Sequence, residues 1–164
     1  MNEFLTSLQS SALGMAIRGE TGWDYLFPNL ETLHVLSLTV VFGSILMVDL
    51  RLLGLAERSR TVTKLAAEVL PYTWIAFACA AATGSLMFIS KPSTYIHNLD
   101  FQLKFLCMLL AGINMFVFHF GAYRRVQDWD AQLPTPAAAK LSGAISLLLW
   151  TGVIFFGRWI GFTT

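Results

Sequence analysis

Charge is what this sequence has least of. Of its 164 residues only 13% are Asp, Glu, Lys or Arg, about half the ~25% of a soluble domain. Eleven basic residues against ten acidic ones leave a net charge of +1, so there is no field to draw in an acidic substrate, and nucleic-acid binding is excluded. Cysteine is nearly missing too. Cys79 and Cys107 sit within apolar runs, where a thiol behaves as a small buried hydrophobe and says nothing about redox compartment. There is no glycine-rich phosphate loop, CxxC, HExxH or nucleophile elbow. The opening stretch MNEFLTSLQSSALGMAIRGE carries Glu3, no basic n-region and no long apolar core, so it does not read as a cleavable signal, and the first spanning helix is expected to direct insertion.

What is present is hydrophobic length. The chain is 55% hydrophobic with a mean hydropathy of +0.61. Segments 29–54, 68–90, 99–123 and 138–162 each reach the ~20 residues a bilayer crossing needs. The expected fold is all-α, an integral membrane four-helix bundle forming one domain over 1–164. Pro71 is expected in the first turn of the second helix, Lys91-Pro92-Ser93 at its end, and Pro134 and Pro136 at the break before the fourth. Ala76, Ala80, Gly84 and their small neighbours on the second helix allow close helix approach, which is compatible with a homo-oligomer.

Residues 2–19 place Phe4, Leu5, Leu8, Ala12, Met15 and Ala16 at spacings of three and four, an amphipathic period too polar to span. It reads either as an N-terminal interfacial helix or as a segment docked on the bundle. Gly19 and Gly22 close it, and Trp23, Tyr25 and Phe27 supply an aromatic anchor at headgroup level. Seven Lys and Arg residues (Arg51, Arg58, Arg60, Lys64, Arg124, Arg125, Lys140) flank the first and third connections, against four (Arg18, Lys91, Lys104, Arg158) on the other side. The positive-inside rule then puts both termini on the periplasmic side of a bacterial inner membrane.

Within this frame, residue offsets become depths. His34 and Lys104 each lie five residues past the starts of the first and third segments, about 7.5 Å below the outer surface. Arg158, near the end of the outgoing fourth segment, reaches a similar level. The three converge on one outer polar pocket. An ionisable group inside a span needs a partner, so His34 is either a structural hydrogen-bonding group, with Glu31 or Ser37, or a ligand or proton carrier. Lys104 and Arg158 either snorkel or bind. His119 lies roughly 20 Å deeper than His34, which excludes a shared iron. It is grouped instead with Asp49, Arg51, Tyr123 and Tyr72 near the inner surface, Asp49 and Arg51 being most simply an ion-paired cap. His97 reads as a loop residue.

LETLHVLSLTVVFGSILMVDLRLLGL, LPYTW, TGSLMF, LKFLCMLLAGINMFVFH and the terminal FGRWI resemble an uncharacterised group of four-helix bacterial inner-membrane proteins over nearly the whole chain. The layout is also similar to the membrane-bound haem-containing protoporphyrinogen oxidase and, more distantly, to copper-resistance D-type proteins. The likeness to the oxidase implies that His34 and Lys104 match the residues important there for haem binding and activity; Gln102 stands where that family has a further His. The expectation is b-type haem in a redox role, with His34 on the iron, Lys104 as second ligand or propionate partner, and Arg158 neutralising a propionate. The alternatives are copper or another ion held by His34, Glu31 and His97, an accessory subunit without cofactor, and a quinone or lipid in the same pocket. A redox partner belongs to the first reading.

Overall fold

The structure, a computed structural model, describes residues 2–56, 59–130 and 135–163. Arg58 and Pro134, used above for the charge count and the helix break, lie outside the described residues. Helices α1 (Asn2–Gln9) and α2 (Ala12–Ile17) precede four long ones, α3 (Leu26–Leu53), α4 (Val62–Ser90), α6 (Leu99–Phe120) and α8 (Ala137–Thr163). Short helices α5 (Pro92–His97) and α7 (Val126–Trp129) sit in the connections, with a 3-10 turn over Ala122–Arg125. The four long helices are long and apolar enough to cross a membrane. Much of their apolar surface is exposed, Leu109, Ile113 and Phe116 of α6 among it, and this is the surface hydrocarbon covers.

The helices pack in the order α4, α3, α8, α6. At one end, called here the strap end, α1 packs on α5 and α2 on α4. There α4 and α6 meet chiefly through side chains, Phe88 stacking on Phe101 at 5.8 Å. The last turn of α8 arrives at the same end, where Thr163 Oγ1 accepts from Asn98 Nδ2 at 2.8 Å. The opposite, loop end is held by Leu52, Val62, Trp129 and Ala139.

The amphipathic stretch differs from the single helix expected over 2–19. It is two helices broken at Ser10 and Ser11, because Ser11 Oγ accepts from Gly14 N–H at 3.1 Å and caps α2. Gly14 is required at the bend, since a Cβ there would lie 2.5 Å from the Gln9 carbonyl oxygen. Leu5 and Ile17 are buried, so the strap docks on the bundle. Arg18 fastens it, donating through Nη1 to the carbonyls of Gln9 at 2.8 Å and Ser90 at 2.9 Å.

Helix α4 begins at Val62 rather than 68, and Pro71 is therefore well inside it. Thr61 is the local N-cap, its Oγ1 accepting from Lys64 N–H at 3.3 Å, and a remote residue adds a second cap. The Asp130 carboxylate accepts from the backbone N–H of Val62 and Thr63 and from the Thr63 hydroxyl, satisfying donors that open the helix. Arg51, only 2% exposed, donates to the carbonyls of Arg60 at 2.6 Å and Asp130 at 3.3 Å. Among the described residues it makes no ion pair with Asp49, which corrects the expected cap. Helix α6 stops at Phe120, leaving Tyr123 in the 3-10 turn.

Asp130→Ala removes this cap, and we expect about 1–2 kcal/mol of lost stability. Thermal unfolding of the detergent-purified variant checks it; an unchanged midpoint would mean that Asp130 does not hold the start of α4.

Candidate functional site

The strap end holds a half-open cavity of about 840 Å³, within the range usual for small-molecule sites. His34 from α3, Lys104 from α6 and Arg158 from α8 all line it, as does Glu31. Aromatic walls come from Phe42, Phe88 and Phe101, and the strap contributes Ile17 and Arg18 to the lining.

His34 is half-buried and tied to α4. Its Nδ1 lies 2.9 Å from the Ala80 carbonyl oxygen and 3.1 Å from Thr83 Oγ1. A carbonyl can only accept, so in the neutral ring the proton is on Nδ1 and the lone pair on Nε2. The Thr83 hydroxyl is itself turned back, donating to Cys79 O at 2.8 Å. Gly84 makes this approach possible, for a Cβ at that position would stand 3.0 Å from His34 Cε1. The partners expected for His34, Glu31 and Ser37, are not the ones found: Ser37 Oγ donates to Leu33 O in its own helix at 2.7 Å.

Lys104 lies against another glycine. Its Nζ is 3.5 Å from where a Cβ of Gly157 would be, and among the described residues it has neither a hydrogen bond nor an ion pair. Arg158 is more exposed, its guanidinium 4.8 Å over the Phe162 ring. Outside the spans, Tyr95 also faces the cavity; burial pushes its phenol above the ordinary range, partly offset by a hydrogen bond with Ser90. On the strap, the hydrogen bond from Arg18 holds the Glu20 carboxyl below the ordinary range.

Other expected site residues fall elsewhere. His97 does not line the cavity; its Nδ1 bonds back to Ser93 O at 2.8 Å. Among the described residues no three His, Cys, Asp or Glu side chains come close enough to hold a metal ion, so the copper set of His34, Glu31 and His97 is not assembled. Gln102, too, turns away from the cavity, donating to Ile96 O at 2.8 Å. At the loop end His119 stacks on Tyr123 with ring centroids 5.2 Å apart, on an exposed face of α6. Asp49 instead is buried against Ser146 of α8, and Tyr72 is 67% exposed. The inner group is therefore a ring pair and a separate carboxyl.

Sequence reasoning named Ala80 and Gly84 for close helix approach but not as the place where His34 is received, and it missed Thr83 and Gly157. The adjacent Thr83-Gly84 within an alanine-rich helix was the available signal: a small residue beside a hydroxyl marks where a polar side chain from a neighbour can come close.

With the geometry in place, comparison with known proteins adds one finding. The chain belongs to a family of unknown function (DUF6644), which it matches over residues 6–163. None of the curated proteins and none of the solved structures matches it, so neither likeness of layout is joined by a match in sequence or structure.

In wild-type protein labelled with nitrogen-15 histidine, His34 is expected as the Nδ1–H tautomer by NMR, and Gly84→Ala is expected to abolish that signature by pushing the ring off α4. An Nε2–H ring in the wild type would contradict the assignment.

Proposed function

We propose that this member of a family of unknown function is a membrane-embedded ligand-binding protein whose strap-end cavity takes b-type haem in a redox role. One observation carries the reading: His34 spends its Nδ1 proton on the Ala80 carbonyl at 2.9 Å and is left with a basic Nε2 at a cavity wall, the state an iron-ligating imidazole requires.

The other residues present fit such a group. An unpaired ammonium at Lys104 calls for an anion, and a propionate carboxylate is one. Arg158 would hold a second at the mouth, where its charge is already partly in water. Phe42, Phe88 and Phe101 offer apolar faces for a flat ring system. When bound, haem would supply one-electron transfer; the protein's share is to fix the imidazole, neutralise the acid groups and keep water out. The Lys and Arg asymmetry supports placing the strap end on the periplasmic side of a bacterial inner membrane, with both termini there.

A second reading draws on the same bond. His34 joins α3 to α4, which is also what a register pin in an accessory subunit without cofactor would do. The two part at His34→Asn, whose amide can keep the donor to Ala80 but has nothing at the Nε2 position. In haemin titrations of the full chain in detergent, the haem reading predicts a shifted Soret band for the wild type and its loss in His34→Asn. Lys104→Met should weaken binding about tenfold, the size of one charge-assisted contact. Wild type and His34→Asn binding haemin equally, with equal stability, would sink the proposal.

A further inference from the structure

The loop end holds a polar group that the cavity does not use. Asp49 lies on α3 with 5% of its surface exposed. Ser146 of α8 supplies the hydroxyl set against its carboxyl, and Oδ2 has no hydrogen-bond partner among the described residues. The two helices meet closely here because residue 143 is glycine: a Cβ would stand 3.3 Å from both the Asp49 carbonyl oxygen and Leu52 Cβ.

The charges around it are engaged elsewhere or turned away. Arg51, two residues on, points about 200° round the helix and binds the carbonyls of Arg60 and Asp130 through Nε and Nη2, while its buried Nη1, on that other face, has no partner among the described residues. Glu68 of α4 pairs with Arg60 at 3.0 Å on the surface. Lys140, one turn before Gly143 on α8, forms no ion pair with Asp49 among the described residues. His119 of α6 lies on an exposed face, stacked on Tyr123. A carboxylate at membrane depth without a counter-ion is costly, and such a group is neutralised by taking up a cation. A proton needs only the orphan oxygen.

We propose that Asp49, with Ser146 as its hydrogen-bonding partner, is an intramembrane proton-binding site. The site is independent of the haem reading, since it shares no residue with the cavity. It lies about 6 Å from the loop-end terminus of α3 at 1.5 Å per residue, so it exchanges its proton with that face. The Ser146 hydroxyl can donate to the carboxylate or to the carbonyl oxygen of the acid, while Oδ2 carries the exchangeable proton.

Dicyclohexylcarbodiimide tests this, because an apolar carbodiimide reaches buried carboxyls and reacts with their acid form. The acid proton passes to a carbodiimide nitrogen, the carboxyl oxygen bonds to the central carbon, and the resulting O-acylurea rearranges to a stable N-acylurea. The full chain in detergent is treated over a pH series in potassium chloride and the adduct located by peptide mass spectrometry. The expected result is an adduct on Asp49 whose yield falls about tenfold one pH unit above its midpoint. Ser146→Ala, which keeps the carboxyl, should still be labelled, with a shifted midpoint. No adduct on Asp49 at any pH, or a yield that ignores pH, would overturn the proposal. Protection by sodium but not potassium at fixed pH would overturn the proton in favour of a sodium ion.

Discussion

Hydrocarbon offers polar groups no partners, and nearly every polar side chain in this bundle is arranged around that constraint. Ser37, Thr39 and Ser44 return their hydroxyl protons to carbonyls of α3, and Thr73 and Thr83 do the same on α4. Asn114 and Ser142 satisfy each other between α6 and α8. The polar groups left over among the described residues include the Nε2 side of His34 and the ammonium of Lys104 at the strap end, and one oxygen of Asp49, Nη1 of Arg51 and Oγ1 of Thr135 at the loop end. These lie at opposite ends of the bundle, which is why they are read as two sites.

The cavity follows from packing order. Because α4 and α6 sit at the two flanks of the α4, α3, α8, α6 arrangement, the interior is closed at the strap end chiefly by side chains. Gly84 lets His34 reach the α4 backbone and Gly157 leaves space beside Lys104. At the loop end Gly143 does the reverse, drawing α3 and α8 together. Small residues thus decide where the bundle is shut and where it is open. The strap then bounds the open end, held by Arg18 through the carbonyls of Gln9 and Ser90.

The four spans, their all-helical character and the common level of His34, Lys104 and Arg158 were legible from hydrophobic length and the 1.5 Å rise. The partners were not. His34 is satisfied by a backbone carbonyl, and a backbone carbonyl leaves no mark on sequence. The start of α4 is capped locally by Thr61, and the second set of acceptors there comes from Asp130, which is sequentially remote from it. The expected Asp49 and Arg51 ion pair failed because residues two apart on a helix point to different faces, and Arg51 found loop carbonyls instead. The break in the strap was written in Ser11 and Gly14, but the apolar period running through both concealed it.

We propose the strap-end cavity as a haem site. Its most direct test is the difference spectrum, dithionite-reduced minus oxidised, of the full chain purified from membranes of cells well supplied with iron and haem precursor. A Soret band with sharp reduced bands, at one haem per chain, is the predicted result. A featureless spectrum from protein that is folded and free of haem would contradict the account and leave His34 as a pin between α3 and α4.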